Sequence, residues 1–351
     1  MSQYGFGLVG CGMIAEFHAK AISEIAKAKL VAVSDCIPAS AERMGKAYGV
    51  PFYSDYNEMV KRDDVHIVNI CTPSGAHMEP ALAAAKARKH VAVEKPLEIT
   101  LKRCDKVIKA CEKAGVKLAT FFPSRFTPCN QLLKKTLESG RFGRVTLGDV
   151  YNKWWRTQQY YDSGGWRGTW ALDGGGSLMN QAVHAIDLLQ WMMGPVKSID
   201  GFTAMLCHER IEVEDTAVAI LHFESGALGV IEGTTSVYPG LLRRLEIHGS
   251  KGTVILEQDT VKTWQFEQEQ PEDAAVRKDF GDKPAGPGAV ADPRDISHLG
   301  HRKQIEDFIE AVEQNRRPLV DGPEGRKAVE IICAIYKAAQ TGKRVNLPLK
   351  P

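Results

Sequence analysis

Three residues with side chains suited to proton chemistry stand in otherwise largely apolar segments: Lys95, Asn180 and His184. Lysine and histidine can accept and return a proton, and an amide can hold a hydroxyl group in place. Asn180 and His184 lie in a predicted helix after the glycine run 174–176, and residues four apart share one helix face. Asp187 follows one turn later and is expected to orient the imidazole. A buried structural histidine explains the same pattern equally well. Whether His184 is catalytic or structural must therefore be judged from the surrounding elements.

The first forty residues predict a dinucleotide-binding unit. The apolar run Tyr4–Val9 leads into a Gly-x-Gly-x-x-Ala turn, a predicted helix, the strand Lys29–Val33 and then Asp35. This is the order of the dinucleotide fingerprint, in which the glycines let the backbone approach a pyrophosphate. The carboxylate of Asp35 suits a free ribose 2′-hydroxyl and repels a 2′-phosphate, so NAD is predicted over NADP. The predicted cofactor contacts here are Gly10, Cys11, Gly12, Met13, Ile14 and Asp35.

Alternating strand-like and helix-like segments continue to residue 122 and predict a doubly wound parallel sheet. Ligands of such sheets bind beyond the carboxyl ends of the strands. Thr72 and Pro73 follow the predicted strand Val65–Cys71, and Lys95 follows His90–Val93. A lysine close to a cationic nicotinamide and partly desolvated has a lowered pKa and can take a hydroxyl proton. A surface lysine after a strand is the alternative reading.

From residue 123 the pattern changes to an α+β arrangement with an open, mainly antiparallel sheet, because strand-like runs with hairpin signals fill Val196–Phe266. We therefore expect an α/β NAD-binding Rossmann domain at 1–122 and a domain for substrate binding and oligomerisation at 123–351. Residues 271–295 are rich in proline, glycine and charge, which predicts a long loop.

An aromatic-rich segment precedes the glycine run. The faces of Tyr160 and Trp166 suit a pyranose or a nicotinamide ring, although packing beneath a long loop explains them equally. Arg156 and Arg167 suit a phosphate or carboxylate, which a guanidinium binds through two hydrogen bonds. Structural or solvated arginines are the alternative.

Composition excludes several classes of function. The 351 residues carry a net charge of +2 without a long basic run, so neither nucleic acid nor a membrane surface is an expected partner. No apolar run reaches the roughly 18 residues of a membrane span, and no secretory leader is recognisable.

The eight cysteines form no Cys-x-x-Cys pair, which favours a reducing compartment, the cytoplasm. His298 and His301 have no third ligand at suitable spacing, so no metal is predicted.

The motifs GCGMIA, CTPSGAH, EKP and MNQAVHAID stand in the order seen in the glucose–fructose oxidoreductase/inositol dehydrogenase (Gfo/Idh/MocA) family, which this chain resembles over essentially its whole length. The resemblance implies an NAD-dependent sugar dehydrogenase that forms a homodimer or homotetramer through its C-terminal sheet. It implies catalytic roles for Lys95, His184 and Asn180. The cofactor contacts that it adds are Thr72, Pro73, His77, Glu94, Lys95, Arg125, Trp166 and Arg167, and the implied substrate contacts are Lys95, Arg156, Tyr160, Asn180 and His184.

Within the family, the segments 158–195 and 321–349 are most similar to members that resemble UDP-N-acetylglucosaminuronate 3-dehydrogenases. This similarity implies oxidation of a secondary hydroxyl, at carbon 3, of a hexopyranoside or UDP-sugar. Asn180 replaces the aspartate of inositol dehydrogenases, and Phe122-Pro123-Ser124 replaces a glutamine-asparagine pair before Arg125. The rival hypotheses are an enzyme that uses NAD transiently for oxidation, elimination and reduction, and a non-catalytic NAD-binding regulator. A NADP-dependent keto-sugar reductase is disfavoured by Asp35.

Overall fold

The computed structural model describes residues 3–281 and 297–350. They form two compact units: residues 3–123 with 297–329, and residues 124–281 with 330–350. The expected domains, 1–122 and 123–351, differ from this division because the segment 297–329 returns to the first unit. Among the described residues, no helix combines the length and the apolar character needed to cross a membrane.

The first unit contains a six-stranded sheet in the order β3-β2-β1-β4-β5-β6, in which every neighbouring pair is parallel. Its strands are β1 (Tyr4–Val9), β2 (Ala28–Ser34), β3 (Phe52–Tyr53), β4 (Ile67–Ile70), β5 (His90–Val93) and β6 (Leu118–Thr120). The strand order reverses between β1 and β4, and such a reversal is where doubly wound sheets bind their ligands. The predicted Rossmann fold is confirmed.

Helices follow the strands of the first unit: α1 (Met13–Ser23), α2 (Pro38–Tyr48), α3 (Tyr56–Met59), α4 (Met78–Lys86) and α5 (Leu101–Ala114). Local sequence signals set the ends of α5. The Thr100 side chain accepts the backbone N–H of Arg103, and Gly115 ends the helix with a φ of 68° that favours glycine.

The second unit contains an eight-stranded sheet in the order β13-β12-β11-β7-β10-β9-β8-β14, in which β7 and β10 are the parallel pair. Its strands are β7 (Val145–Lys153), β8 (Val196–Ala204), β9 (Thr216–Phe223), β10 (Leu228–Thr234), β11 (Arg244–Gly249), β12 (Gly252–Glu257), β13 (Thr260–Phe266) and β14 (Val345–Asn346). The predicted open, mainly antiparallel sheet is confirmed.

Within residues 124–281, the helical segments beside this sheet are α6 (Pro128–Glu138), α7 (Gln158–Asp162), the π turn Ser177–Ala182, α8 (Val183–Met193) and α9 (Pro271–Phe280). Helix α9 corrects the prediction of a loop over 271–295. Gln270 and Asp273 form a capping box at its start, and Asp273 is paired with Arg141 at 2.7 Å. Residues 282–296 of that predicted loop lie outside the described residues.

The two last helices explain the unit boundary. They are α10 (Leu299–Glu313) and α11 (Gly322–Thr341). Ile305, Phe308 and Ile309 of α10 are buried in the same core cluster as Phe6 and Leu8 of β1. Burial of this apolar face against the first sheet draws α10 back to the first unit.

Candidate active site

The glycine-rich turn between β1 and α1 has the space that a dinucleotide needs. Gly10 has a φ of 90°, and a Cβ there would lie 2.7 Å from the backbone of Cys71. Gly12 precedes α1. Within residues 3–281 and 297–350, no side chain caps that helix, and apart from its chain neighbours no atom lies within 4 Å of where the Gly12 Cβ would be. Ala15 is fully buried, as close packing of the helix on the sheet requires. The open helix N-terminus therefore fits the phosphate groups of NAD.

Asp35 lies at the end of β2, against the glycine-rich turn. Its carboxylate accepts the backbone N–H of Cys11 at 2.7 Å and that of Ile37 at 2.8 Å. This contact fixes the carboxylate beside the predicted dinucleotide-binding turn, where it suits a ribose diol. Sequence reasoning missed Arg43, whose guanidinium donates to the carbonyl of Cys11 at 2.8 Å and pairs with Glu16 at 2.7 Å.

His77 joins the loops that follow β4 and β5. Its Nε2 lies 2.9 Å from the carbonyl oxygen of Thr72, and its Nδ1 lies 2.9 Å from that of Pro96. The ring is buried, and burial lowers the pKa of His77. His77 therefore holds two strand-end loops together, while its direct contact with the cofactor stays a prediction.

Lys95 is the one partly exposed residue in the otherwise buried segment 91–98, all of which the structure describes. The neighbouring Glu94 points inward, and its Oε2 accepts the backbone N–H of Lys95 at 3.1 Å. Its Oε1 lies 2.7 Å from Nε2 of His18 and 3.4 Å from Nε2 of His301. Burial alone raises the pKa of Glu94, but these two histidines hold it well below its usual range. Glu94 thus acts as an internal anion that fixes the backbone of Lys95.

His18, Glu94 and His301 form a buried cluster of metal-ligand types that sequence reasoning missed. Besides His301, its members come from α1 and from the residue after β5, and it does not include His298. Tetrahedral bonds of about 2.0–2.2 Å separate neighbouring ligand atoms by about 3.3 Å. The 2.7 Å between His18 and Glu94 is instead a hydrogen-bond distance, and Asn69 donates to the other ring nitrogen of His18 at 2.8 Å. The arrangement favours a hydrogen-bonded network, and the absence of a metal stays a prediction.

In the second unit, Asn180 and His184 are singled out by their exposure. All residues from 173 to 190 are described, and these two are the only ones that are not buried. The predicted continuous α-helix is wrong at its start, since Asn180 lies in the π turn and His184 in the first turn of α8. An inserted residue of this kind changes which side chains share a face and is frequent at functional sites.

Asn180 is oriented by a residue that sequence reasoning missed. Its Nδ2 donates to Oδ1 of Asp173 at 2.8 Å, and Oδ2 of Asp173 accepts the backbone N–H of Gly168 at 2.9 Å. Asp173 directly precedes the glycine run, which is the signal that could have identified it. With its amide N–H₂ turned to Asp173, Asn180 accepts from Nε2 of Gln181 at 3.4 Å through its Oδ1, and an amide oxygen can accept a second hydrogen bond.

Arg156 and Tyr160 are linked through Gln181 of the π turn. Nη2 of Arg156 donates to Gln181 at 3.1 Å, and Gln181 donates to the hydroxyl of Tyr160 at 2.8 Å. Arg156 is buried and also donates to the carbonyl of Trp155 at 2.9 Å. Its internal contacts make it a support for the π turn, and its role in substrate binding stays a prediction.

Arg167 lies over two aromatic rings. Its guanidinium carbon is 4.7 Å from the ring centroid of Tyr160 and 5.0 Å from that of Trp166. All three side chains are partly exposed. A cation held on aromatic faces keeps its N–H edge available for an anionic group, so Arg167 suits a phosphate or carboxylate better than the buried Arg156.

Arg125 has an internal partner. Its Nε and Nη2 donate to the two carboxylate oxygens of Asp187 at 2.8 and 2.7 Å, and both side chains are buried. Asp187 therefore forms an ion pair that anchors α8, a role that the sequence analysis did not foresee. Its predicted role, orienting His184, stays a prediction. The predicted contact of Arg125 with the cofactor stays a prediction.

The first sheet, its open glycine-rich turn and the acid after β2 define an oxidoreductase with an NAD-binding Rossmann fold. A family model described as "Oxidoreductase family, NAD-binding Rossmann fold" matches residues 4–122, and the GFO/IDH/MocA C-terminal domain matches residues 130–255. The chain belongs to the Gfo/Idh/MocA family. The predictions of this family and of NAD as cofactor are confirmed.

Relatives from three bacteria show what the chain is similar to. The WlbA dehydrogenase of Bordetella pertussis, crystallised with NADH and UDP-GlcNAcA, is 35% identical with a TM-score of 0.89, over 99% of this chain and 100% of that one. The myo-inositol 2-dehydrogenase of Thermotoga maritima is 29% identical over 97% of this chain and 98% of its own. The levoglucosan dehydrogenase of Pseudarthrobacter phenanthrenivorans is 25% identical over 99% of each.

Proposed function

We propose that this NAD-dependent enzyme oxidises the carbon-3 hydroxyl of a hexopyranoside carried by a uridine diphosphate. The observation that carries the proposal is the selective exposure of three groups. Lys95 is partly exposed in a buried strand-end segment, and Asn180 and His184 are partly exposed in a buried helical segment. Polar groups left accessible in apolar surroundings are expected where a substrate must be held and deprotonated. The similarity to a dehydrogenase crystallised with NADH and UDP-GlcNAcA supports the sugar nucleotide.

In this mechanism the residues of the chain handle the proton. Bound NAD supplies the hydride acceptor, and the glycine-rich turn and Asp35 would hold it. The hydroxyl proton of the sugar passes to His184 or Lys95 as the carbon–hydrogen bond breaks, so the alcohol becomes a ketone and one proton remains on the protein. Asn180 accepts a hydrogen bond from the sugar and orients it. Positioned acid–base groups of this kind contribute roughly 10²–10⁴-fold to the rate.

The anionic part of the substrate is assigned to Arg167. Its guanidinium is partly exposed and rests on Tyr160 and Trp166, which gives a cation beside two aromatic faces. A guanidinium binds phosphate or carboxylate oxygens through paired hydrogen bonds, and an aromatic face suits the apolar face of a pyranose. A sugar that carries both a diphosphate and a ring carboxylate fits this set of groups.

The second sheet supports self-association. Phe202 of β8 is 79% exposed and pairs across the strands with Val218 of β9, and Ile220 of β9 is 52% exposed. Leu228 of β10 is also exposed. Contiguous apolar patches of this kind mark interaction surfaces, and we propose that a second copy covers this one in a homodimer or homotetramer. Light scattering of Ile220→Glu should then report a smaller particle than the wild type.

The substrate assignment is tested by NADH formation from a panel of UDP-sugars, free hexoses and glycosides. Turnover of UDP-sugars with a ring carboxylate, and weak turnover of the free sugars, is the expected result. Turnover of free glycosides alone contradicts the proposal. Tightly held NAD with glycoside cleavage and no net NADH indicates the transient use of the cofactor instead.

A further inference from the structure

The glycine run 174–176 brings the backbone against two side chains of the second unit. A Cβ on Gly175 would overlap the hydroxyl of Tyr336 in α11, and a Cβ on Gly176 would overlap the backbone carbonyl of Glu214. The run is therefore required by the approach to Glu214 and Tyr336 and is not merely a flexible connection. This contact lies directly before the π turn that carries Asn180.

The carboxylate of Glu214 gathers four donors at the start of that turn. Its Oε2 accepts the backbone N–H of Gly176 at 2.9 Å. Its Oε1 accepts the backbone N–H of Leu178 at 2.8 Å, the hydroxyl of Tyr336 at 3.1 Å and the hydroxyl of Ser177 at 3.3 Å. The side chain is buried. The first N–H groups of a helical segment lack partners within the helix, and an acidic group there satisfies them.

Glu214 also links the turn to the sheet. It lies two residues before β9, and its own carbonyl accepts the backbone N–H of Ser177 at 3.0 Å. The single hydroxyl hydrogen of Ser177 is shared between the Glu214 carboxylate and the carbonyl of Gly233 in β10, whose oxygen lies 3.0 Å from the Ser177 Oγ. Glu214 therefore connects the start of the π turn both to the sheet and to Tyr336. The position of residues 176–178 depends on these contacts.

We propose that Glu214, together with Tyr336, is the positioning residue that sets the π turn and thereby places Asn180 for the reaction. This inference rests on the proposed function for its kinetic consequence, whereas its structural consequence is independent of that function. Neither side chain belongs to the partly exposed set that would touch the sugar. Both act through the backbone of residues 176–178.

Two substitutions test the proposal. In Glu214→Gln, the amide N–H₂ takes the place either of Oε2, where it faces the backbone N–H of Gly176, or of Oε1, where it faces that of Leu178. A donor therefore opposes a donor in both orientations. Tyr336→Phe removes one donor and adds no repulsion. The matched control is Glu330→Gln, since the Glu330 carboxylate also accepts a backbone N–H, that of Leu349 at 2.8 Å, but lies outside the π turn.

The measurements are kcat, KM for NAD, NADH affinity and amide hydrogen exchange of the peptide that covers 177–182. For Glu214→Gln we expect kcat to fall by about ten- to a hundredfold, because small misplacements near the reacting groups cost that much. We expect faster exchange in the turn and unchanged NADH affinity, since the NAD-binding turn belongs to the first unit. Tyr336→Phe should show the same pattern to a smaller extent, and the control should match the wild type.

Wild-type kcat in both variants overturns the proposal, and so does a lower kcat with unchanged exchange in the turn. If Glu214→Gln loses NADH binding through misfolding, Tyr336→Phe decides by the same two criteria. If the wild type oxidises no sugar, the proposed function fails by itself. Exchange in the turn then still tests whether Glu214 holds it, because faster exchange in the variants supports the positioning role and unchanged exchange overturns it.

Discussion

The guanidinium of Arg125 donates two hydrogen bonds to the carboxylate of Asp187, at 2.8 and 2.7 Å, and both side chains are about 1% exposed. Asp187 lies on α8, one turn after His184. The pair therefore fixes the helix that carries His184, the proposed acid–base residue. It also places Arg125 over the ring of Trp191, 5.3 Å from its centroid.

Removing one partner of this buried pair should cost more than removing both. Arg125→Met leaves the Asp187 carboxylate buried without its cation, which typically destabilises by about 3–5 kcal/mol. The double variant Arg125→Met/Asp187→Leu leaves no buried charge and should recover much of that loss. Calorimetric unfolding of the three proteins tests this, and equal midpoints for the wild type and Arg125→Met would show that the pair contributes nothing.

Replacement of Asp35 should weaken the preference for NAD. Asp35→Ser removes the carboxylate that suits the ribose and repels a 2′-phosphate, while Arg43 of α2 still donates to the carbonyl of Cys11 in the glycine-rich turn. Loss of a charged hydrogen bond of about 1.5–3 kcal/mol corresponds to roughly a ten- to hundredfold lower kcat/KM with NAD. We expect kcat/KM with NADP to rise relative to NAD. Asp35→Asn, which keeps an acceptor for the Cys11 N–H, separates the loss of charge from damage to the turn. An unchanged cofactor ratio in Asp35→Ser contradicts the assignment.

Replacement of Asn180 by aspartate should lower the activity while Asp173 is present. The Asn180 amide donates to the Asp173 carboxylate at 2.8 Å, so Asn180→Asp brings two carboxylates together that cannot both be ionised. We expect kcat to fall roughly tenfold or more at neutral pH in this variant. The exchanged pair Asp173→Asn/Asn180→Asp restores one donor and one acceptor and should regain most of the activity. Equal losses in the single and double variants would show that the Asn180–Asp173 hydrogen bond does not orient the amide.

Glu214 should make stability depend on pH near neutrality. Burial raises the pKa of Glu214 from 4.5 to about 7. Burial outweighs the hydrogen bonds from Gly176, Leu178 and Tyr336 that favour the carboxylate, so the folded chain binds the proton more tightly than the unfolded chain does. The group therefore stabilises most below its ordinary pKa, and this contribution is lost as the pH rises through 7. From pH 5 to pH 8 the loss is about 2–3 kcal/mol.

The tyrosines that face Glu214 do not contribute to this pH dependence of stability. The titratable groups that face it include Tyr336 and Tyr161, and burial raises the pKa of both, so both stay protonated over this range. The stability of the wild type relative to Glu214→Gln should therefore decrease from pH 5 to pH 8. Parallel curves for the two proteins contradict the shift.

The parts of the fold that could be predicted are those encoded by local patterns. The turn 10–15 and Asp35 are close in sequence, and their spacing requires a strand, a tight turn and a helix whatever the rest of the chain does. The local pattern also drew attention to Asn180 and His184, which are partly exposed in a buried segment, while their catalytic roles stay predictions. The return of α10 to the first unit could not be predicted, because an amphipathic helix does not specify which apolar surface it will cover.

Long-range polar pairs escaped prediction for a related reason. His18 and His301 both contact Glu94 although they are far apart in sequence. The local sequence around either histidine does not indicate that the other one will lie nearby. The π turn escaped because one inserted residue leaves the apolar pattern of the helix nearly unchanged, while it alters the direction of Asn180.

The central claim is that Lys95 takes part in NAD-dependent oxidation of a UDP-sugar. Its most direct test is NADH formation from UDP-GlcNAcA by the wild type and by Lys95→Ala, with NADH affinity measured on both. We predict turnover by the wild type and, at saturating NAD, a kcat lower by roughly 10²–10⁴-fold in a Lys95→Ala variant that still binds NADH. Turnover by Lys95→Ala at the wild-type rate, or no turnover by a wild type that binds NADH, would contradict the account.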